Sequence, residues 1–278
     1  MSKKPLVTFV IPCYNDASYI EQAVNSALEQ TIKVEVIVVD DGSDDKTKKV
    51  LATLSPKIDV LITQKNQGQS KARNVGINAA NGVFIVTLDS DDYFEPQFAE
   101  QALSIFEKEG EEKIVTCRSV LFFEDGDTKV YTPNGGDIKH FMFSNGALGT
   151  SMFKKEDWQQ CGGYDEKMKD GWEDWEFFIR LIKDGGECFV LEAQLFNYRQ
   201  KKYSTTTRAN NNRNQLLSYI LKKNKDVYTK YFDSTIDFLI QKLEKEEVER
   251  YKNLDRLDYK VGKAILDPMR KFKKGFKK

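Results

Sequence analysis

The chain contains a single histidine, His140, in 278 residues. A metal centre built from several histidines is thereby excluded, and the isolated, glycine-rich setting of His140 reads as a loop position rather than a catalytic base. Cysteine is almost as scarce. Cys13, Cys117, Cys161 and Cys188 are scattered and form no CxxC pair, which argues against a disulfide framework or a zinc site and fits a reducing cytoplasm. Neither sign of charge prevails, since 43 basic residues face 43 acidic ones. No chain-wide attraction to nucleic acid is therefore expected. No apolar run approaches the roughly 20 residues of a membrane helix. The opening "MSKKPLVTFVIPCYN" has a basic start, but its apolar run is short and strand-like with no small-residue cleavage site, so it does not read as a signal peptide. There is no internal repeat and no low-complexity segment.

What the sequence does have is a rhythm. "LVTFVIP" (6–12), "VEVIVVD" (34–40), "DVLITQ" (59–64) and "GVFIVTLD" (82–89) are apolar runs rich in β-branched residues, the pattern of buried strands. Between them lie helical patterns. The first spans 15–30 with a start signal at Asn15/Asp16 and apolar Ile20, Val24, Ala27 and Leu28 at helical spacing. Others come after the turn "DDGSDD", cover 70–81, and span 95–110. Strands alternating with helices predict right-handed βαβ units and a mostly parallel sheet covered on both faces. After residue 110 the rhythm changes. A hairpin is expected at "EDGD", a long loop over 133–150, a helix over 170–186 with Trp175, Phe178, Ile179 and Ile182 on one face, and two short strands in "ECFVLEAQLFNYR". From about residue 206 the chain is polar and helical.

The strand ends are acidic. Asp40 and Asp41 end one strand; Asp89, Ser90, Asp91 and Asp92 end another. Ligands of open parallel sheets bind outside the carboxyl ends of the strands. Carboxylates that converge there repel one another unless a cation neutralises them, and hard oxygen ligands suit Mg²⁺ or Mn²⁺ together with substrate phosphates. The pattern thus points to a divalent metal site that holds a phosphorylated ligand. Either stretch alone also fits an Asp-rich turn or helix cap.

Taken together and in order, "VTFVIPCYNDASYIEQAVNSALEQT", "VEVIVVDDGSDDKT", "NQGQSKARNVGINAANGVFIVTLDSDDYFEP" and "DGWEDWEFFIRL" resemble a family 2 glycosyltransferase with the GT-A fold. The resemblance covers residues 5 to about 205. It implies an α/β, Rossmann-like domain over 1–205 with a helical extension over 206–278. It also implies an inverting hexosyl- or N-acetylhexosaminyltransferase in bacterial surface-polysaccharide synthesis. Such an enzyme takes a nucleotide-diphosphate sugar, with a UDP-sugar expected, and a glycan or lipid-linked acceptor. In such enzymes the first strand's end and the "DDGS" turn hold the nucleotide, which carries onto Pro12, Tyr14 and Asp41. Arg73 matches a nucleotide-contacting arginine. Asp89, Ser90 and Asp91 match the Asp-x-Asp element, with Asp91 as metal ligand and Asp89 serving metal, ribose or sugar. Asp92 is expected to cap the next helix. Asp174 matches the base that deprotonates the acceptor hydroxyl, with Glu173 and Trp172 at the acceptor. Without the resemblance, Glu173 and Asp174 also read as ordinary first-turn acidity, Tyr14 as a half-buried core ring and Arg73 as a surface arginine.

One position departs from the family. Its members often carry a metal-reaching histidine two residues after the arginine of a late "YR" segment; here "NYRQKKYS" places Lys201 there. A protonated lysine cannot ligate a metal but can pair with a diphosphate. A nucleotidyltransferase, which needs no Asp174, and a non-catalytic nucleotide-sugar-binding module are the alternatives. In the tail, residues 260–278 carry eight basic residues against Asp267, with Met269, Phe272 and Phe276 on one face. This pattern reads either as a membrane-surface helix at the inner face of the membrane or as a solvated, frayed terminus.

Overall fold

Seven consecutive buried residues, Val7–Cys13, form β1, and alternate members of that strand serve the two faces of one sheet. The computed structural model describes residues 6–108, 110–201, 205–257 and 259–266. After β1 come α1 (Ile20–Leu28), β2 (Val34–Asp40), α2 (Asp45–Leu54), β3 (Val60–Thr63), α3 (Gln69–Ala79) and β4 (Phe84–Thr87). Next are β5 (Tyr93–Phe94), α4 (Phe98–Phe106), β6 (Glu112–Phe123), β7 (Thr128–Tyr131), α5 (Ile138–Phe141) and β8 (Met152–Lys154). The sheet part closes with α6 (Lys155–Gln160), α7 (Glu173–Ile182) and β9 (Glu187–Gln200). The strand order is β3-β2-β1-β4-β8-β6-β9-β5, with β7 on β6. The first four strands in that order pair in parallel. β8 then enters antiparallel to both β4 and β6, so uninterrupted parallel pairing belongs to the amino-terminal half and the sheet as a whole is mixed.

On one face Val7, Phe9, Ile11, Val36 and Val38 join Ile20, Val24, Leu51 and Phe98 in a continuous core. On the other face α3 lies close to the sheet because Gly76 has no side chain. A Cβ there would stand 2.4 Å from Val10 Cγ1 and 3.1 Å from Val39 Cγ2. At the amino end of the sheet Glu35 is a buried clamp. Its carboxylate accepts hydrogen bonds from Thr8 Oγ1 (2.6 Å), Asn81 N (2.8 Å) and Asn81 Nδ2 (2.6 Å). Burial pushes the Glu35 carboxyl up, but these donors outweigh it and hold the group below the ordinary carboxylate range.

Four expectations are corrected. The first helix starts at Ile20, not Asn15, because Asn15 adopts a left-handed φ of 59° and its side chain accepts from Asp44 N (2.8 Å) instead. Asp92 caps no helix. The next helix, α4, begins at Phe98 after Gln97, and the buried Asp92 carboxylate accepts from Arg199 N (2.8 Å). The 133–150 segment is not all loop, since Asp137 caps α5 through Lys139 N. The two short strands expected after residue 186 are one strand, β9. It runs parallel to β6 with a break in register where Cys117 pairs with Leu191 and Arg118 with Gln194.

The chain divides into two units, Met1–Lys225 and Asp226–Lys278. The first includes α8 (Thr205–Asn211) and α9 (Arg213–Lys223). The end of α9 is held there by Lys223 Nζ on Glu176 (3.1 Å) and by Asn224 Nδ2 on Glu176 Oε1 (3.4 Å). α10 (Lys225–Lys230) leads to α11 (Phe232–Asp255), which buries none of its residues. Among the described residues no helix is long and apolar enough to cross a membrane. The membrane-surface reading of the tail concerns residues 260–278; Val261 and Ile265 are exposed, and residues 267–278 lie outside the described residues.

Candidate active site

Parallel pairing brings three strand ends to one rim. Cys13 lies beside Asp40, and Val10 beside Thr87, so the chain leaves β1, β2 and β4 on the same side of the sheet. Pro12 is buried within β1 opposite Val39, so it shapes the rim and offers no free ring. Tyr14 stands at the edge with 51% of its surface open, which leaves its face available for stacking. Asp41 is buried and already serves the chain. Its Oδ1 accepts from Gln64 Nε2 (2.7 Å) and Gln67 N (2.9 Å), and its Oδ2 from Gly68 N (2.8 Å). It therefore fixes the loop entering α3, where Gly68 takes a φ of 97°.

The turn after β4 carries the acidic group. Asp89 Oδ1 accepts from Gln69 Nε2 and from Arg73 Nη2, each at 2.7 Å. Ser90 Oγ donates to Asp16 Oδ2 (2.6 Å). Asp91 Oδ2 lies 2.7 Å from Lys201 Nζ, which also reaches Asp16 Oδ1 at 3.4 Å. Burial and the neighbouring Asp89 charge push the Asp91 carboxyl up, against the pull of Lys201. The acidic cluster is thus balanced by two protein cations, Arg73 and Lys201. Mg²⁺ takes one or two carboxylates and completes its shell with phosphate and water. Asp89 and Asp91 fit that requirement in number and chemistry, although among the described residues no group of three or more histidine, cysteine or acidic side chains converges on one point.

Arg73 is buried inside α3 rather than on a surface. It spans two carboxylates, with Nη2 on Asp89 and Nη1 on Glu173 Oε1 (2.7 Å). Glu173 is itself buried. Its carboxylate therefore faces the guanidinium, and the acceptor contact expected of it gives way to this ion pair. The next residue, Asp174, is half-buried at the start of α7. Its Oδ2 accepts from Asn145 Nδ2 (2.8 Å). A Cβ on Gly149 would lie 2.9 Å from the same oxygen, so glycine there leaves room for the carboxylate. Desolvation and the adjacent Glu173 charge raise the Asp174 carboxyl to about 6, although Arg73 pulls the other way. Trp172 precedes the pair with a left-handed φ of 61°, a conformation that non-glycine residues seldom adopt. Its ring meets Trp175 edge-on at 5.3 Å. Trp175 and Trp158 are core residues.

Three contributors do not stand out in the sequence as site residues: Asp16, Asn145 and Arg199, whose Nε donates to Asp91 O (3.0 Å). Asp16 carries a visible signal, an acid shortly after the first strand, but one shared with helix starts.

The family model described as glycosyl transferase family 2 matches residues 8–163, and one described as the N-terminal domain of galactosyltransferase matches residues 139–205. Chondroitin synthase of Pasteurella multocida is 30% identical to the chain in an alignment covering 96% of the chain and 29% of that protein. The chain therefore spans under a third of that relative's length. Among solved structures, S. aureus TarS 1-349 in complex with UDP matches with a TM-score of 0.59 at 20% identity, over 70% of this chain and 60% of that one. The mannosyltransferase PcManGT from Pyrobaculum calidifontis, in complex with GDP-Man and Mn²⁺, matches with a TM-score of 0.57 at 19% identity, over 74% and 60%. Both likenesses concern the fold.

Proposed function

The chain belongs to glycosyl transferase family 2, and from that premise we propose that it transfers a sugar, with inversion, from a nucleotide-diphosphate donor to a hydroxyl of a growing glycan or lipid-linked acceptor in bacterial polysaccharide synthesis. The observation that carries this reading is the single guanidinium of Arg73, which ties the rim carboxylate Asp89 to Glu173, the neighbour of Asp174. A donor-side group and a candidate base are thereby held at one site. The ligands named for the solved relatives, UDP and GDP-Man, support a nucleotide-bearing donor. The name of the chondroitin synthase relative supports a polysaccharide acceptor.

In this mechanism Tyr14 stacks on the base while the loop that Asp41 fixes borders the nucleotide. Asp89 and Asp91 would hold a divalent cation, Mg²⁺ or Mn²⁺, which when bound neutralises the departing diphosphate. Asp174 takes the proton of the acceptor hydroxyl. The acceptor oxygen bonds to the anomeric carbon from the face opposite the diphosphate, and the carbon–oxygen bond to phosphate breaks with its electron pair leaving on the nucleotide. No general acid is needed because the leaving group is already anionic. Trp172 lies beside the base, where its ring can pack on an acceptor sugar.

The reading is tested by incubating the full chain with UDP- and GDP-sugars and oligosaccharide acceptors, identifying products by mass and the new linkage by NMR. A glycosylated product of inverted configuration is expected. Nucleotidylated products alone would instead make the protein a nucleotidyltransferase. The raised Asp174 carboxyl adds a pH signature. Only the ionised form can accept a proton, so kcat should fall about tenfold per unit as pH drops below about 6. Above that it should level. A flat profile from pH 5 to 8 would remove Asp174 as the base.

A further inference from the structure

The rim holds a cation of its own. Lys201 Nζ is 2.7 Å from Asp91 Oδ2, 3.4 Å from Asp16 Oδ1 and 4.3 Å from the centre of the Tyr19 ring. Two carboxylates and an aromatic face thus surround one ammonium group, an arrangement that suits a compact point charge. The geometry is supported from behind. β9 delivers Arg199, whose backbone N–H reaches Asp92 and whose guanidinium reaches Asp91 O and Gln22 Oε1 and lies 4.5 Å from the centres of the Tyr19 and Phe122 rings. The strand end that carries Lys201 is therefore fixed against the turn that carries Asp91.

We infer that Lys201 is the resident counter-cation of the donor site: it competes with a divalent metal ion for Asp91, and its ammonium supplies positive charge for the donor's diphosphate, so that nucleotide binding depends only weakly on metal. The inference rests on the proposed donor reading for its second half only. A divalent ion drawn to Asp91 meets an oxygen already paired at hydrogen-bond distance, and must either displace the lysine or share the carboxylate with a like charge. Removing the lysine leaves Asp16 and Asp91 facing each other at the rim, which should strengthen metal binding. Arginine at this position keeps the charge.

The test uses the full chain and its Lys201→Met and Lys201→Arg variants, with thermal melts to confirm that each folds. Binding of Mn²⁺ alone, monitored by electron paramagnetic resonance, should tighten at least tenfold in Lys201→Met and stay near wild type in Lys201→Arg. Calorimetry of UDP and GDP in EDTA should show wild-type affinity within about threefold of that with Mn²⁺, and a loss of at least tenfold in Lys201→Met that Mn²⁺ restores. Equal Mn²⁺ affinity in wild type and Lys201→Met overturns the competition. Unchanged nucleotide affinity of Lys201→Met in EDTA overturns the diphosphate contact. If wild type binds neither nucleotide under any condition, the donor reading and the diphosphate contact fail together, while the Mn²⁺ measurement still decides whether lysine and metal compete.

Discussion

Asp174→Asn is expected to lower the transfer rate by about 10²- to 10⁴-fold while leaving nucleoside-diphosphate affinity unchanged. The substituted amide keeps the shape of the carboxylate and can turn its oxygen to Asn145 Nδ2, which now donates to Asp174 Oδ2 at 2.8 Å. The local fold should therefore survive. What the amide cannot do is accept the acceptor's proton, so the loss belongs to the chemical step. Paired transfer assays and calorimetry separate the two. A variant that transfers within a few-fold of wild type removes Asp174 from the chemistry, and Glu173 cannot simply replace it, because its carboxylate is buried against Arg73.

The second large effect concerns stability. Arg73→Met should destabilise the protein by about 3–5 kcal/mol, because it leaves buried Glu173 without its partner. In a chain of this size that corresponds to a melting temperature lower by roughly 10 °C. Adding Glu173→Leu should recover part of the loss, since the unpaired buried charge is then gone. Lysine at position 73 should rescue poorly, because one ammonium group cannot reproduce a fork that spans two carboxylates. Thermal melts of the single and double variants decide the matter. A single variant that melts within about 2 °C of wild type, a threshold set at roughly 1 kcal/mol, would show that Glu173 finds water or another partner.

The contrast between these residues shows what sequence can carry. The first four strands are legible because each is a short apolar run; β1, β2 and β4 are buried on both faces, which leaves no alternation to read, while β3, at the sheet edge, is only partly buried. β5 and β8, with two and three residues, are too short to show any period. β9 reads as two strands because Glu192 and the residues around it interrupt the apolar pattern where the register breaks. Candidate site residues are legible where chemistry clusters locally, as in "DSDD" and "WEDW". Their partners are not. Asp16 meets Lys201 across 185 positions of chain, and Arg73 meets Glu173 across 100. No local signal records such pairs. Hence Arg73 reads in sequence as either a surface residue or a nucleotide contact, and only the fold shows it buried between two acids.

The Glu35 clamp at the far end of the sheet sets how the protein should respond to acid. Its folded carboxyl lies below the ordinary range, so its stabilising contribution is complete above the unfolded value of about 4.3 and is lost as pH falls through the lower folded value. Burial raises the Asp174 carboxyl to about 6. Between those limits the proposed base is neutralised while the clamp remains ionised and the sheet keeps its fastening. Mild acid should therefore switch the enzyme off without dismantling it, and neutralisation should bring activity back at once, with no refolding delay.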